Sequence, residues 1–537
     1  MRLKLFGILT LFFLITGCAQ HAPFITQPTD LKPLPGKPIP KIRVGISDRG
    51  QSCEFTVSQP ACITTLDGDV LLFCPEQSEW KVIAKSGVNH FVVAGSMSSE
   101  ERAQLKADEI RTLGLPCFIV PVEDETADSS LYRVYIDKEF QTEIEARQFQ
   151  QAFQGTIDTF LDRRPDEKGK RIVLLNMTNG DSYDFYDPIQ IRNSDVTLRQ
   201  ILVGEGYHWE RKEDRTYPEI IELRINNSGQ LQIINVTNLQ IYLMGVVPSE
   251  MPQGFPLEAL KAQAIAARSE AYAKLGNVHH GDPYDLCADV HCQVYSGLSR
   301  RTAITDRAVR ETRGMVLWYE GQICDAVYSS VCGGHSEHNE NAWSGSGKAY
   351  LRGTYDGSGK LQQYGDLRNE INVENWLNES PDAYCNTADR DVPDAMNYTK
   401  KYFRWEVKYD QTELRQMLMQ KTGQDVGGIL GLIPVKRGVS GRIMELKVTG
   451  ENGEFSINGE LRIRKALSAS TLWSSCFYVK KQGWENGLPK TFILKGAGFG
   501  HGVGMCQTGA GVMALKHKKY DEILKHYYQH AQIKRMY

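Results

Sequence analysis

The chain has 537 residues, with 62 Lys and Arg against 65 Asp and Glu, and a net charge of −3. That balance offers nothing to nucleic acid, which calls for a basic face. Beyond an N-terminal leader about 500 residues remain, enough for three or four folding units, and the many Gly and Tyr with few long helical stretches suit an exported, strand-rich protein.

Residues 1–18, MRLKLFGILTLFFLITGC, carry Arg2 and Lys4, then an apolar run too short to remain a membrane span, then small residues before Cys18. This is the layout of a lipoprotein signal peptide, with Cys18 diacylated as the mature N-terminus; the plainer alternative is an ordinary signal with an incidental cysteine. Ala19 in place of aspartate favours the outer membrane of a Gram-negative cell, facing the periplasm. Residues 19–40 are Pro-rich and read as a semi-rigid tether. Eleven cysteines follow Cys18. In an oxidising compartment most should be paired or metal-bound, in a connectivity that spacing alone does not reveal.

Residues 41–90 alternate in short runs separated by Gly, Asp and Ser, the pattern of short strands. Residues 91–155 read differently: a strand, a helix over 99–113, strands over 118–122 and 132–136, and a helix over 143–153. Two strand–helix halves with repeated cap signals indicate a small ferredoxin-like α+β unit. Its pattern resembles a SPOR domain, which implies binding to denuded glycan; Phe91, Val93, Tyr132 and Val134 are its ligand or core positions. Residues 156–240 return to strands, with NNSG turning a hairpin. Residues 241–537 mix helices, short strands and motif loops, including helices over 411–422, 509–514 and 520–529.

Four segments of this last region carry chemistry. Residues 242–273, YLMGVVPSEMPQGFPLEALKAQAIAARSEAYA, place Glu250 between Pro248 and Pro252, in a turn ahead of an amphipathic helix of about five turns from Leu257. Glu250 there is either a fixed general acid or a charge favouring the helix N-terminus. HHGDPYDLCADVHC, 279–292, offers thiols and imidazoles suited to zinc, against the alternative of a Cys287–Cys292 disulfide. In YSSVCGGHSEHNENAW, 328–343, the polar Ser329, Ser330, His335, Glu337 and Asn341 with Trp343 suit a sugar ring. A Cys332–His335 nucleophile pair lacks an orienting group. GAGFGHGVGMCQTGA, 496–510, has glycines that allow backbone to approach a ligand, with His501 at the centre and Gln507 opening a helix; the strand-GxxxxGK[ST]-helix order of a phosphate loop is missing.

These segments, together with HCQVYSG (291–297) and RGVSGRIMELKVTG (437–450), resemble in order the SpoIID/LytB family across roughly 215–537. The resemblance implies an α+β fold: a β-rich SpoIID-like catalytic core with a long helix after the catalytic turn, joined to the small ferredoxin-like, SPOR-like unit. It also implies a lytic transglycosylase cutting denuded peptidoglycan strands, with Glu250 as general acid/base. Arg268 lies where the family also has an arginine and would orient Glu250, contact sugar or form a structural ion pair. By the same resemblance Cys287, Cys292 and one of His279 or His280, with His280 preferred, would hold zinc, while His291 points at substrate. Ser329, His335, His501 and Gln507 complete the expected substrate-binding set. The family includes an enhancer of a cell-wall amidase, so two further readings stand beside the enzyme: a non-catalytic amidase enhancer and a glycan-binding lipoprotein. An intact VPSEMP motif favours the enzyme.

Overall fold

The computed structural model describes residues 39–123, 130–140, 142–153, 156–205, 207, 209–343, 345–359 and 361–537. The leader with Cys18 and residues 19–38 of the tether lie outside the described residues. The chain is α+β, rich in strands, and divides into two compact units. None of the described helices is long and apolar enough to cross a membrane.

The smaller unit comprises Ile46–Gln200 and Glu219–Asn235. Its backbone is a pair of long antiparallel strands, Glu79–Met97 and Phe160–Asn176, matched from Trp80 against Asn176 to Val93 against Phe160. A register shift between Ser86 and Val88 falls at Gly87, whose φ of 82° only glycine adopts freely. At one end Ser52–Val57 pairs with Glu79–Met97. At the other the chain runs through helix Glu100–Thr112, strands Cys117–Glu123 and Ser130–Ile136, and helix Glu143–Gln151. Counting the four strands of this end in chain order, they lie side by side as fourth, first, third, second, all antiparallel, which is the ferredoxin-like arrangement. The helices start where their caps dictate: Ser99 accepts from Arg102 N–H, and Thr142 and Glu145 form a reciprocal capping box.

Strand Glu79–Met97 crosses the boundary expected at 91, and the fourth strand, Phe160–Asn176, begins beyond the one expected at 155, so the ferredoxin-like part is the far end of a ribbon rather than a module inserted between short strands. The four residues grouped from sequence also separate. Val134 and Tyr132 pack under the helices with Val92 and Ile110, whereas Phe91 and Val93 lie on the opposite face with Tyr135 and Phe118. There Phe118 stacks on Tyr135 at 5.3 Å between centroids and Phe91 meets Tyr135 edge-on at 5.7 Å.

The larger unit comprises the described part of Met1–Gly45, Ile201–Pro218 and Val236–Tyr537. Its centre is helical: Leu239–Glu250 and Leu257–Lys274 are buried along almost their whole length. The second spans 18 residues, five turns as expected, yet it is enclosed on nearly every side rather than amphipathic; small alanines let neighbours close around it. Around the helices sit three short sheets: Met315–Tyr319 with Gln532–Arg535 and Gln322–Ile323; Trp405–Asp410 and Phe477–Glu485 flanking Leu488–Gly496; and the meander Ile429–Arg437, Ile443–Gly450, Gly453–Asn458. Tyr328–Ser329 pairs in parallel with Met505–Cys506.

The glycine-rich loop serves this packing. Gly498, Gly502 and Gly504 all have positive φ, and a Cβ on Gly502 would lie 2.3 Å from Cζ of the buried Arg442. A Cβ on Gly504 would lie 2.0 Å from the carbonyl oxygen of Val327. At these two glycines the backbone lies close against the protein's own atoms. Gly504→Ala meets backbone that has no freedom to yield, so it should cost more than about 2 kcal/mol. Urea denaturation of the two proteins measures this, and an unchanged midpoint would contradict the packing.

Candidate active site

Glu250 is the last residue of helix Leu239–Glu250, not part of a turn. Pro248 lies inside this helix, where it forfeits one backbone donor, and the Ser249 hydroxyl donates to the Gly245 carbonyl at 2.7 Å. Gly245 is tightly enclosed: a Cβ there would lie 2.5 Å from the Tyr295 ring and 2.6 Å from the Gly297 carbonyl oxygen. The helix therefore rests directly on the 293–297 segment, reinforced by Ser249 and Ser296 hydroxyls 2.7 Å apart. This contact brings Val294 N–H within 3.0 Å of Glu250 Oε1.

The Glu250 carboxyl is completely buried, and Oε2 has no hydrogen-bond partner among the described residues. Burial raises its pKa to about 8; the Val294 hydrogen bond opposes that rise and the nearby Glu270 charge adds to it. A helix C-terminus also disfavours an anion. The carboxyl is thus protonated at neutral pH, poised to donate. Gln507, the first residue of helix Gln507–Leu515, donates from Nε2 to the backbone carbonyl of Glu250 and to Gln263 Oε1, both at 3.2 Å. Tyr398 stands close enough for the Glu250 charge to act on its phenol. Gln263 and Tyr398 were not singled out from the sequence, since Gln263 sits within an alanine-rich helix and Tyr398 far along the chain.

Ending two residues before Glu250's donor, the 279–292 segment folds into a cluster of His279, Cys287, His291 and Cys292, whose donor atoms lie within 4.8 Å of one another. His279 Nε2 is 3.3 Å from Cys292 Sγ, and His291 Nδ1 is 3.4 Å from Cys292 Sγ and 3.6 Å from Cys287 Sγ. Tetrahedral zinc with sulfur and imidazole ligands has S···N edges of roughly 3.5 Å. Asp282 contacts His279 Nδ1 at 3.0 Å, the outer carboxylate that commonly fixes the tautomer of a metal-bound histidine. The residues fit a Cys2His2 site. His280 is exposed and outside the cluster, so the preference for it is corrected in favour of His279, and His291 faces the sulfurs rather than substrate. Strand pairing fixes the cluster's other side, with Val44 opposite Leu286 and Gly45 opposite Cys287.

A buried polar chain connects this cluster to the acid. Lys274 donates to the Cys292 carbonyl and to Glu270, each at 2.8 Å. Gln293 donates to Glu270 at 2.9 Å and accepts from the Tyr242 hydroxyl at 3.1 Å. The sequence His291-Cys292-Gln293-Val294 is therefore fixed residue by residue, ending at the amide that holds Glu250.

Arg268 points elsewhere. Its guanidinium donates to the Met315 carbonyl at 3.0 Å and reaches the Gln240 side chain and the Val309 carbonyl at 3.4 Å, so it braces the helix against neighbouring backbone and forms no ion pair among the described residues. His335 contacts the Ser336 carbonyl through Nδ1. His501 is buried; Nδ1 accepts from Val503 N–H at 3.0 Å and the ring lies 4.7 Å from Trp343. Burial, then Arg442 and Arg464, hold it well below its usual pKa and therefore neutral. Ser329 Oγ and Gln507 Oε1 are buried without a hydrogen-bond partner among the described residues. Glu337, read as a sugar contact, is instead saturated by the protein: Oε1 accepts from His338 N–H, Asn341 and Val439 N–H, and Oε2 from Ser440 N–H and hydroxyl. All eleven described cysteines are free thiols, including Cys287 and Cys292.

The part of the chain that holds Glu250 and the Cys–His cluster is also the part that resembles known proteins. The family model described as Stage II sporulation protein matches residues 227–319, which contain Glu250 and the cluster, and one described as Domain of unknown function matches residues 337–504. Stage II sporulation protein D of Bacillus amyloliquefaciens is 30% identical over 311 residues, spanning 55% of this chain and 74% of its own. An uncharacterized protein of Brachyspira hyodysenteriae is 30% identical over 301 residues, 56% of this chain and 68% of its own. The amidase enhancer of Bacillus subtilis is 28% identical over 301 residues, 53% of this chain but 39% of its own. The chain belongs to the SpoIID/LytB family.

The raised pKa of Glu250 sets a stability signature. The native carboxyl keeps its proton up to about pH 8 while the unfolded one releases it near 4.5, so the stabilisation is complete below the lower value and is lost as pH rises through the upper one. Glu250→Gln stays uncharged throughout. Its stability relative to the wild type should grow by a few kcal/mol, about what such a shift implies, between pH 5 and pH 8 and then level off. Parallel unfolding curves of the two proteins over that range would show that the carboxyl titrates normally.

Proposed function

We propose that this chain is a peptidoglycan lytic transglycosylase of the cell envelope, acting on denuded glycan strands with Glu250 as its general acid/base. The observation that carries this reading is the wholly buried Glu250 carboxyl, protonated at neutral pH, with one oxygen held by Val294 and the other without a partner among the described residues. Protonated Glu250 donates to the glycosidic oxygen as the C1–O bond breaks. The resulting carboxylate, stabilised by Val294 N–H, takes the proton from the sugar 6-hydroxyl as that oxygen bonds to C1. The product is a 1,6-anhydro end, no water is consumed, and Glu250 regains its proton. One carboxyl serves both steps, so the second carboxylate of a hydrolase is not required. Ser329 and Gln507, with unpartnered buried oxygens, are suited to substrate hydroxyls; Gln507 is already in contact with Glu250. Because the carboxyl has no exposed surface, productive binding includes a local opening that uncovers it.

His279, Cys287, His291 and Cys292 would hold zinc as a closed four-ligand structural site. Zinc there supplies rigidity, and the chain's own residues carry the chemistry. The leader and Cys18 support a lipid anchor. The aromatic face of Phe91, Phe118 and Tyr135 supports glycan binding by the ferredoxin-like end, which would concentrate substrate at the acid.

Incubation with denuded glycan strands should yield 1,6-anhydro ends by mass spectrometry, and Glu250→Gln should reduce the rate by about 10²–10⁴-fold. Activity should also decline as pH rises through about 8, where Glu250 loses its proton. A variant as active as the wild type removes Glu250 from the mechanism. A wild type that forms no anhydro ends but accelerates an added cell-wall amidase is the enhancer. His279→Ala should release about one zinc equivalent per chain by elemental analysis while His280→Ala releases none; the reverse pattern would restore His280 as the ligand.

A further inference from the structure

A second group of soft ligands lies in the half of the larger unit that the Stage II sporulation model does not cover. Cys332, Asp356, Cys385 and Cys506 are all fully buried, and their donor atoms lie within 4.8 Å of one another. Cys332 Sγ is 3.5 Å from Cys385 Sγ and 3.4 Å from Asp356 Oδ2. Those separations are edges of a tetrahedron around a metal, and the sulfurs are well beyond the roughly 2.05 Å of a disulfide. We propose that these four residues form a second, structural zinc site.

The surroundings are those of a metal–thiolate centre. Three thiolates and a carboxylate around a divalent ion leave excess negative charge, and the site supplies donors to offset it. Cys506 Sγ accepts from Cys332 N–H at 3.2 Å and from Gly509 N–H at 3.4 Å. Cys506 is also the N-cap of helix Gln507–Leu515, whose positive end faces the sulfur. Asp356 Oδ2 accepts from Cys385 N–H at 3.0 Å, and Oδ1 from the Tyr527 hydroxyl at 2.6 Å, with His526 Nε2 a further 3.9 Å away. These partners orient the carboxylate as outer-shell groups do for metal ligands. Four protein ligands with no exposed surface mark a structural rather than a catalytic ion.

The site would join four segments distant in sequence: the loop after strand Tyr328–Ser329, the bridge at Tyr355, the loop at Cys385 and the start of helix Gln507–Leu515. Cys332 and Cys506 are 174 positions apart. Cys506 immediately precedes Gln507, so the ion would fix the residue that touches Glu250. It would also keep three buried thiols from oxidation where a single disulfide would leave one over.

Elemental analysis of the full chain purified without chelator should find two zinc per chain. Cys385→Ser should lower this to one, His279→Ala likewise, and the double variant to none. Zinc K-edge X-ray absorption on the wild type reads the site without a substitution: the mean sulfur count per zinc should exceed two, and in His279→Ala the remaining zinc should show three sulfurs and one oxygen. A wild type holding a single zinc bound by two sulfurs overturns the proposal, as does a Cys332–Cys385 disulfide in a non-reducing peptide map.

Discussion

The site depends on a single hydrogen bond, from Val294 N–H to Glu250 Oε1 at 3.0 Å. A buried carboxyl with no such donor would have no fixed orientation; one saturated with donors would ionise and be useless as an acid. One amide gives the intermediate case, and the surrounding packing exists to place that amide. Gly245 lets the acid-bearing helix settle onto Tyr295 and Gly297, the Glu270–Lys274 pair grips the backbone at Cys292, and Gln293 is held from three directions.

The contrast with Glu337 makes the point. Both carboxyls are buried, yet Glu337 receives five hydrogen bonds and acts as a strut that closes the 437–442 turn. Arg442, at the end of that turn, reaches the Cys332 and Gly500 carbonyls at 3.2 and 3.3 Å. Around it the glycine loop is wrapped so closely that side chains are excluded. Glu337 and Arg442 thus tie the 437–442 turn to the Cys332 and glycine-loop backbone through bonds made within the protein.

Sequence reading placed the six helices it named to within two residues, because caps and periodicity are local, and it singled out Glu250 and the thiols at 287 and 292 through the motifs that carry the family resemblance. It placed Glu250 on a turn because Pro248 and Pro252 read as breakers; tertiary packing overrode the first, and the helix accommodates Pro248 next to its end. Choosing between His279 and His280 needed the loop's path, including the positive φ of 56° at His279 that swings its ring inward, and no pattern of spacing contains that. The glycine loop was legible as close approach but not as to what approached. Arg268, Asp356, Cys385 and Cys506 were illegible for a common reason: their partners lie tens to hundreds of positions away.

The ribbon of Glu79–Met97 and Phe160–Asn176 has a mechanical consequence. Nineteen residues in extended form reach about 60 Å. Both strands enter from one end of the ribbon and carry the ferredoxin-like fold at the other. A pull on that far end along the ribbon is borne by two covalent backbones side by side, without parting the bonds between them. The load first meets breakable contacts at the near end, where Ser52–Thr56 pairs with Glu79–Ile83 and must slide as a whole rather than unzip one bond at a time. A joint loaded in shear resists such a pull better than one that peels.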